Sequence, residues 1–434
     1  MINTTSTNCT FIIDDFGHVK EKVLNWIQRF DTFSFLDNHQ YQLTPHSVEC
    51  LVAAGVRRDI KANAGHALEQ LQQFLDEKKS WLFGHLGYDL KNEIEKLSSG
   101  KTGRIGFPDL YFFEPEVVIR LSPGEISIEA DDPRAVYAEL LVNEVSDSLE
   151  EPDTLPPIKI QNRLSQQEYI SIIDKLRGHI LRGDCYEINF CQEFFTENAV
   201  IDPVAVYKKL SAVSPNPFSA CYRVKDQWLL CASPERFLEK KGDKILSQPI
   251  KGTSKRIVND TQLDDQSRDE LGRSAKDRSE NVMVVDLVRN DLAKVCAEGS
   301  VKVDELFGIY SFPQVHQMIS TISGDLKKNI SFSAIIRAVF PMGSMTGAPK
   351  KRVMELIEEY EATRREIFSG ATGYIAPNGD FDFNVVIRSI MYNAGSQYLS
   401  FQAGSGITFN SDPQQEWEEC LLKGEAMKKV LEER

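Results

Sequence analysis

The chain has 434 residues, 41% of them hydrophobic and 26% charged, the balance of a globular protein long enough for one very large domain or two to three ordinary ones. Lys and Arg number 50 against 64 Asp and Glu, a net charge of −14 that argues against a nucleic-acid partner and leaves any anionic substrate to a few local cations. No run approaches the ~18 apolar residues of a membrane span, and Met1 to Asp15 lacks the basic start and apolar stretch of a secretory signal.

In chain order, residue spacing predicts helices over His18–Phe30 and Ala64–Lys79 and strands over Trp81–Gly87, Leu110–Leu121 and Glu125–Glu129. The acidic stretch from Val145 to Asn162 carries three prolines and reads as a linker or surface crossing. It divides an N-terminal α+β part, residues 1–150, from a second part, residues 160–434. There, Gln166–Arg182 reads as an amphipathic helix with Tyr169, Ile172, Ile173 and Leu176 at helical spacing. Strands are expected over Tyr186–Phe195, Phe218–Val224, Trp228–Ala232, Gly370–Ile375, Phe383–Tyr392 and Tyr398–Phe401. They far outnumber a strict βαβ alternation, so an α+β fold with a largely antiparallel sheet is favoured. The polar stretch Ser254–Ser279 reads either as a mobile lid or as a plain solvated helix. Eight cysteines are scattered without a CxxC pair or zinc-like spacing, as in a cytoplasmic protein with reduced, mostly buried thiols.

Several short segments could carry chemistry. Lys251, in PIKGT, is either an exposed turn lysine or an amine aimed into a pocket, where reactivity requires a lowered pKa. Glu235, in SPERF, either pairs with Arg236 or serves as a general acid once burial raises its pKa. Glu280 opens an amphipathic helix whose Val282, Val285 and Leu292 suit a core face. Glu419 and Lys423 stand one helical turn apart, as a surface ion pair or as site groups. If Glu280 and Glu419 converge, two carboxylates with several waters suit Mg²⁺. GSMTGAPK (Gly343–Lys350) and AGSG (Ala403–Gly406) are tight turns or backbone cradles for a carboxylate, and Arg388 is expected on a strand.

Taken in order, these segments resemble the chorismate-binding enzymes, the family of anthranilate, aminodeoxychorismate, isochorismate and salicylate synthases. GDCYEINF (Gly183–Phe190), SPERF, PIKGT, DRSENVMVVDLVRND (Asp277–Asp291), GSMTGAPK, IRS (Ile387–Ser389), AGSGI and EECLLK all match. FGHLGYDL (Phe83–Leu90) and PDLYFFEP (Pro108–Pro115) resemble the N-terminal part of the aminodeoxychorismate synthase large subunit. The resemblance implies two extensive sheets packed together with helices outside. It also ranks the reactions. The residue at 251 is lysine in the aminodeoxychorismate branch and typically alanine in the anthranilate and isochorismate branches. The residue at 187 is a water-activating lysine in the isochorismate and salicylate branches and usually glutamine in the aminating ones, so Glu187 departs from both. Gln317 stands where anthranilate synthases carry a histidine tied to pyruvate elimination, with His316 beside it. No LLES-type segment, the tryptophan-feedback signature of many anthranilate synthases, occurs near the N-terminus.

The activity so implied is amination of chorismate at C4 on the route to p-aminobenzoate and folate. Lys251 would be the nucleophile and Glu235 the acid and base. Glu280 and Glu419 would hold Mg²⁺, while Arg388, Lys423, Gly347, Thr253, Gly404, Ser405 and Gly406 would line the substrate. Glu187 is expected to orient or deprotonate the incoming ammonium. Neither Cys185 nor Cys191 sits in the G-x-C-x-G elbow of a glutaminase, so ammonia is expected from a separate glutamine amidotransferase subunit. No room is expected for a fused lyase that would finish p-aminobenzoate. Anthranilate synthase component I and a non-catalytic chorismate-binding paralogue are the alternatives.

Overall fold

The computed structural model describes residues 7–41, 50–142 and 158–433. Strands outnumber helices among the described residues, because many segments keep apolar residues at both parities, so each face of a strand finds a partner layer. Along Gln227–Ser233, Trp228, Leu230 and Ala232 join an apolar cluster with Val204, Tyr207 and Leu210 of the Pro203–Val213 helix. Leu229 and Cys231 point the other way, into a second cluster with Phe237 and Phe383. That second cluster lies between two sheets, and it holds them together. Each fully buried aromatic or aliphatic side chain in it contributes roughly 1.5–3 kcal/mol.

The larger sheet has 12 strands, in the order Thr7–Ile12, Glu125–Ala130, Val117–Ser122, Cys50–Ala54, Thr32–Asp37, Phe218–Val224, Gln227–Ser233, Ser389–Asn393, Tyr398–Ile407, Glu187–Thr196 and Gly347–Ala348, with Gln161–Asn162 also on Glu187–Thr196. The smaller has 10, in the order Ile250–Lys255, Val315–Asp325, Lys244–Gln248, Arg236–Lys241, Phe381–Asn384, Ala371–Ile375, Leu82–Leu86, Leu110–Glu114 and Arg58–Ala62, with Lys302–Ser311 also on Val315–Asp325. The paired strands run antiparallel, including Glu187–Thr196 with Tyr398–Ile407 and Ile250–Lys255 with Val315–Asp325. Helices Phe16–Trp26, Gln166–Leu181 and Pro413–Glu432 cover the outer face of the larger sheet, and Ala275–Val295 packs on Ile250–Lys255 and Val315–Asp325. The expected α+β architecture is the one observed.

Three expectations need correction. Leu110–Leu121 is two strands in different sheets, Leu110–Glu114 and Val117–Ser122, because the chain crosses between layers at Pro115 and Glu116. Phe383–Tyr392 likewise splits into Phe381–Asn384 and Ser389–Asn393, which leaves Arg388 in the crossing, at φ 52°, and not on a strand. Each crossing falls at a short polar break, Glu114–Glu116 and Arg388, with apolar strand-forming residues continuing on both sides. Ser254–Ser279 holds the solvated helix expected, Thr261–Arg273 with only Leu271 buried, but it is not one element: it also ends a strand and begins Ala275–Val295. Asp260 caps the first helix by accepting from the Gln262 and Leu263 N–H groups (3.0 and 3.1 Å), and Ser274 caps the second from Asp277 N–H.

Most of the 145–162 linker reading falls outside the described residues. Its last residues belong to the fold, with Ile158 and Ile160 buried and Gln161–Asn162 paired to Phe195 and Phe194. The two parts flanking it share both sheets. Thr32–Asp37 pairs with Phe218–Val224 in one, and Leu82–Leu86 pairs with Ala371–Ile375 in the other. All eight cysteines are free, seven of them buried, and no helix among the described residues is long and apolar enough to cross a membrane.

Candidate active site

Lys251 lies on Ile250–Lys255 where the ladder to Val315–Asp325 is interrupted between Ile250 and Thr253 and Gly252 adopts φ 101°. The irregularity lets the lysine reach across to the larger sheet. Its Nζ stands 2.6 Å from Oε1 of Glu187, the first residue of Glu187–Thr196. The two side chains are 10% and 3% exposed, so this is a buried ion pair bridging the sheets. Two glycines make room for it. At Gly406 a Cβ would lie 2.6 Å from Glu187 Oε1 and 2.7 Å from Lys251 Nζ. At Gly347, φ 141°, a Cβ would run into the Glu187 carbonyl.

Glu235 sits where the chain passes from Gln227–Ser233 in the larger sheet to Arg236–Lys241 in the smaller. Its N–H donates to Ser233 Oγ (3.2 Å) and its carbonyl accepts from Val385 N–H (3.0 Å), which fixes the backbone. Burial pushes the carboxyl up to about 7, against the pull of the Ser344 hydroxyl, the Lys251 charge and the Ile250 N–H. Arg236 does not pair with it. The guanidinium turns to Asp382, with two bonds of 3.0 Å, and lines a separate cavity with Asp37, Asn38 and Tyr374.

Glu280 is well inside the helix Ala275–Val295, not at its start, and Val282 is exposed while Val285 and Leu292 are buried. The buried stripe runs instead through Asn281, Val284, Val285, Leu292 and Val295, which leaves Val282 on the outer face. Burial pushes the Glu280 carboxyl up to about 7, with Lys251 opposing and Glu187 adding to the rise. Its Oε1 is buried without a hydrogen-bond partner. Glu419, on Pro413–Glu432, is 2.6 Å from Lys423, whose ammonium also donates to the Gly404 carbonyl at 3.0 Å. Burial raises Glu419, but Lys423, Lys276 and Lys251 outweigh it and hold the carboxylate below its ordinary range.

Lys251 and Lys276 act on both Glu280 and Glu419, so the two carboxylates share one set of neighbouring positive charges. Among the described residues no group of three or more His, Cys, Asp and Glu could hold an ion by itself. Two oxygen-donor groups, one with an unpartnered buried oxygen, fit a hard divalent ion that keeps water or substrate in its remaining positions.

Arg388 faces the same region. Burial lowers its pKa and the Glu419 charge raises it, and among the described residues no carboxylate forms an ion pair with its guanidinium. Gly404, Ser405 and Gly406 are not a turn: they end the strand Tyr398–Ile407, opposite Cys191, Phe190 and Asn189. Ser405 Oγ is buried and unpartnered. Thr253 stands apart, exposed in the strand opposite Gln317, with no side-chain bond to the cluster. The Gln317 Oε1 is buried without a partner, whereas His316 is bonded by Ser311 Oγ (2.8 Å) and Asp264 (3.2 Å).

Supporting residues were not visible from spacing. Arg365, fully buried, binds Glu361 at 2.6 and 2.9 Å, the Met345 carbonyl at 2.7 Å and the Asn189 carbonyl at 2.9 Å. Glu361 in turn accepts from Cys191 N–H at 2.9 Å, so the pair ties the GSMTGAPK turn to the strand that carries Glu187. Asn281 accepts from Ser320 Oγ at 2.6 Å and faces the Lys251 carbonyl at 3.5 Å. The only advance signal for Arg365 was an arginine pair, Arg364 and Arg365, directly before the apolar Ile367 and Phe368.

The class defined here is a two-sheet α+β protein with a buried lysine, paired to Glu187 across the sheets and under the charge of Glu235 and Glu280. Residues 30–429 match the model of the chorismate binding enzyme family, and the chain belongs to that family. The anthranilate synthase component I-like protein of Synechocystis sp. is 33% identical over 356 residues, 81% of this chain and 72% of that protein. Aminodeoxychorismate synthase component 1 of Salmonella typhimurium is 35% identical over 347 residues, 78% of this chain and 74% of that protein. Anthranilate synthase component I from Streptococcus pneumoniae TIGR4 has the same fold, with a TM-score of 0.76 at 24% identity over 89% of this chain and 94% of that one. The family and the fold expected from the motifs are both borne out.

Proposed function

We propose that this chain aminates chorismate at C4 to 4-amino-4-deoxychorismate, the precursor of p-aminobenzoate for folate, with ammonia from a separate glutamine amidotransferase. The observation that carries the reading is a buried amine, Lys251, whose charge is felt by Glu235, a buried carboxyl that holds its proton up to about pH 7. Chorismate is a dicarboxylate, and Arg388 and Lys423 supply charge for it within a chain of net −14. Its C4 hydroxyl leaves only when protonated, and Glu235 gives that proton. Lys251 adds at C2 as water departs. Ammonia then adds at C4 and expels the lysine, and Glu235 recovers its proton from the new ammonium. Two displacements retain configuration and split one hard step in two. Bound by Glu280 and Glu419, Mg²⁺ supplies neutralising charge for the ring carboxylate.

The names of relatives such as the Salmonella typhimurium protein support this reading. The Synechocystis sp. relative favours a second one, anthranilate synthase component I. Lys251 and the absence of a ring base at Gln317 weigh against it, and His316 is already engaged by Asp264 and Ser311. The deciding experiment incubates the protein with chorismate, Mg²⁺ and ammonium and separates the products by chromatography. p-Aminobenzoate is expected only when aminodeoxychorismate lyase is added, and Lys251→Ala is expected to abolish it. A fluorescent anthranilate product overturns the reading, and a protein that consumes no chorismate marks a non-catalytic paralogue.

A further inference from the structure

An amine attacks carbon only as the free base, yet the surroundings of Lys251 favour the ammonium. Glu187 from the larger sheet touches it, and Glu235 from the crossing, Glu280 from Ala275–Val295 and Glu419 from Pro413–Glu432 add negative potential. Lys276, on the helix that carries Glu280, is shared by Glu280, Glu416 and Glu419, and Asp277 lies against Gly252. Beyond the end of the strand, Asp264 of the helix Thr261–Arg273 pairs with both Arg256 and His316. Burial lowers the lysine, but Glu187, Glu280 and Glu235 outweigh it and hold the group above its ordinary range. The side chain is 10% exposed, so water offers a poor exit for the proton.

An acceptor inside the pocket is therefore required. Glu235 already carries a proton that the leaving hydroxyl needs. Glu280 and Glu419 fit the cation. Glu187 is the carboxylate in contact with the lysine, at 2.6 Å, and its second oxygen is buried without a partner. Its charge answers to Lys251 and to no other hydrogen-bond donor among the described residues. Resting on the amination reading, we infer that Glu187 is the internal proton acceptor that turns Lys251 into a nucleophile. As the C2–N bond forms, one ammonium proton passes from Nζ to Glu187 Oε1, the C4–O bond breaks, and the hydroxyl leaves as water with the Glu235 proton. When ammonia forms the C4–N bond and the C2–N bond breaks, the departing lysine takes its proton back from Glu187. The new ammonium gives one proton to Glu235, and both acids are restored. Glutamine, which cannot accept a proton, could not serve in this way.

The test compares wild type and Glu187→Gln with chorismate, Mg²⁺ and saturating ammonium across the pH range. General-base removal is expected to lower kcat at pH 7 about 100-fold or more, to leave KM for chorismate unchanged, and to move the optimum to higher pH, where solvent takes the proton instead. Mass spectrometry on reactions quenched without ammonia is expected to find the adduct on the Lys251 peptide forming more slowly in the variant. An unchanged rate and profile overturns the inference, and so does a fall equal at every pH, which marks a positioning role. Should Glu187→Gln fail to fold, Glu187→Asp is read instead: the wild-type profile at a reduced kcat supports proton acceptance, and an upward-shifted profile refutes it. Wild type that makes no aminated product sinks the amination reading itself, whereas active wild type with an indifferent variant sinks this step alone.

Discussion

Glu235 and Arg236 are adjacent in the chain and serve opposite needs. Arg236 is neutralised by Asp382, while Glu235 is buried with no guanidinium to stabilise its anion. Its folded pKa, about 7 against the ordinary 4.5, means that the native state keeps a proton that the unfolded chain releases. Stability from this group is therefore fully present below pH 4.5 and is lost as pH rises through 7, by on the order of 3 kcal/mol at most. Glu280 has the same sign. Glu235→Gln keeps the shape without the titration. Calorimetry between pH 5 and 7.5 should show the melting temperature of wild type falling more than that of the variant. Amination by the variant should drop by about 10²–10⁴-fold; equal slopes would mean that the carboxyl is solvated after all. At this scale the sequence was informative in an uneven way. Motif order singled out Lys251, Glu235, Glu280 and Glu419, and the structure shows each buried or under the charge of Lys251. Sequence reasoning expected a reactive lysine to have a lowered pKa, and the Glu187 contact reverses that, since two residues 64 apart in sequence meet only across stacked sheets.

Strands and helices were legible where one periodicity ran unbroken, as in Phe218–Val224 and Gln166–Leu181. The bounds differ where a run changes layers, at Pro115 and at Arg388, because apolar residues resume directly after the short polar break and so read as one strand. Elements also explain why the two acidic groups could not be paired from sequence. Glu280 rides on Ala275–Val295 and Glu419 on Pro413–Glu432, far apart in the chain, and only the fold brings both within the influence of Lys251 and Lys276. A divalent ion, if held between them as proposed, would link two helices and compete with the proton on Glu280. Mg²⁺ without chorismate should therefore raise the melting temperature more at pH 8 than at pH 6. Saturation at 100 times Kd corresponds to about 2.7 kcal/mol. Glu280→Gln and Glu419→Gln should each remove the effect; a full Mg²⁺ response in either variant would place the ion elsewhere.

Composition marked a boundary at 145–162, yet the molecule does not divide there. The pairings that join its parts are non-local, Ser219 with Asp37 and Gly373 with Gly84 among them, and no local pattern announces them. A chain beginning at residue 158 would leave Phe218–Val224 and Ala371–Ile375 with open edges and would strip Phe83, Phe112 and Phe113 from the cluster between the sheets. Each lost aromatic removes roughly 1.5–3 kcal/mol, against a total stability that for most domains is about 5–15 kcal/mol. Exposed apolar edges also template aggregation. The piece should therefore elute as aggregate in gel filtration and lack a cooperative thermal transition, and co-expression with residues 1–142 should restore a defined complex with near-ultraviolet dichroism. If the piece melts cooperatively alone, the shared sheets do not hold the molecule together. The catalytic pocket would then owe its geometry to the second part only, since the residues proposed for it, Glu187 through Lys423, all lie beyond the boundary.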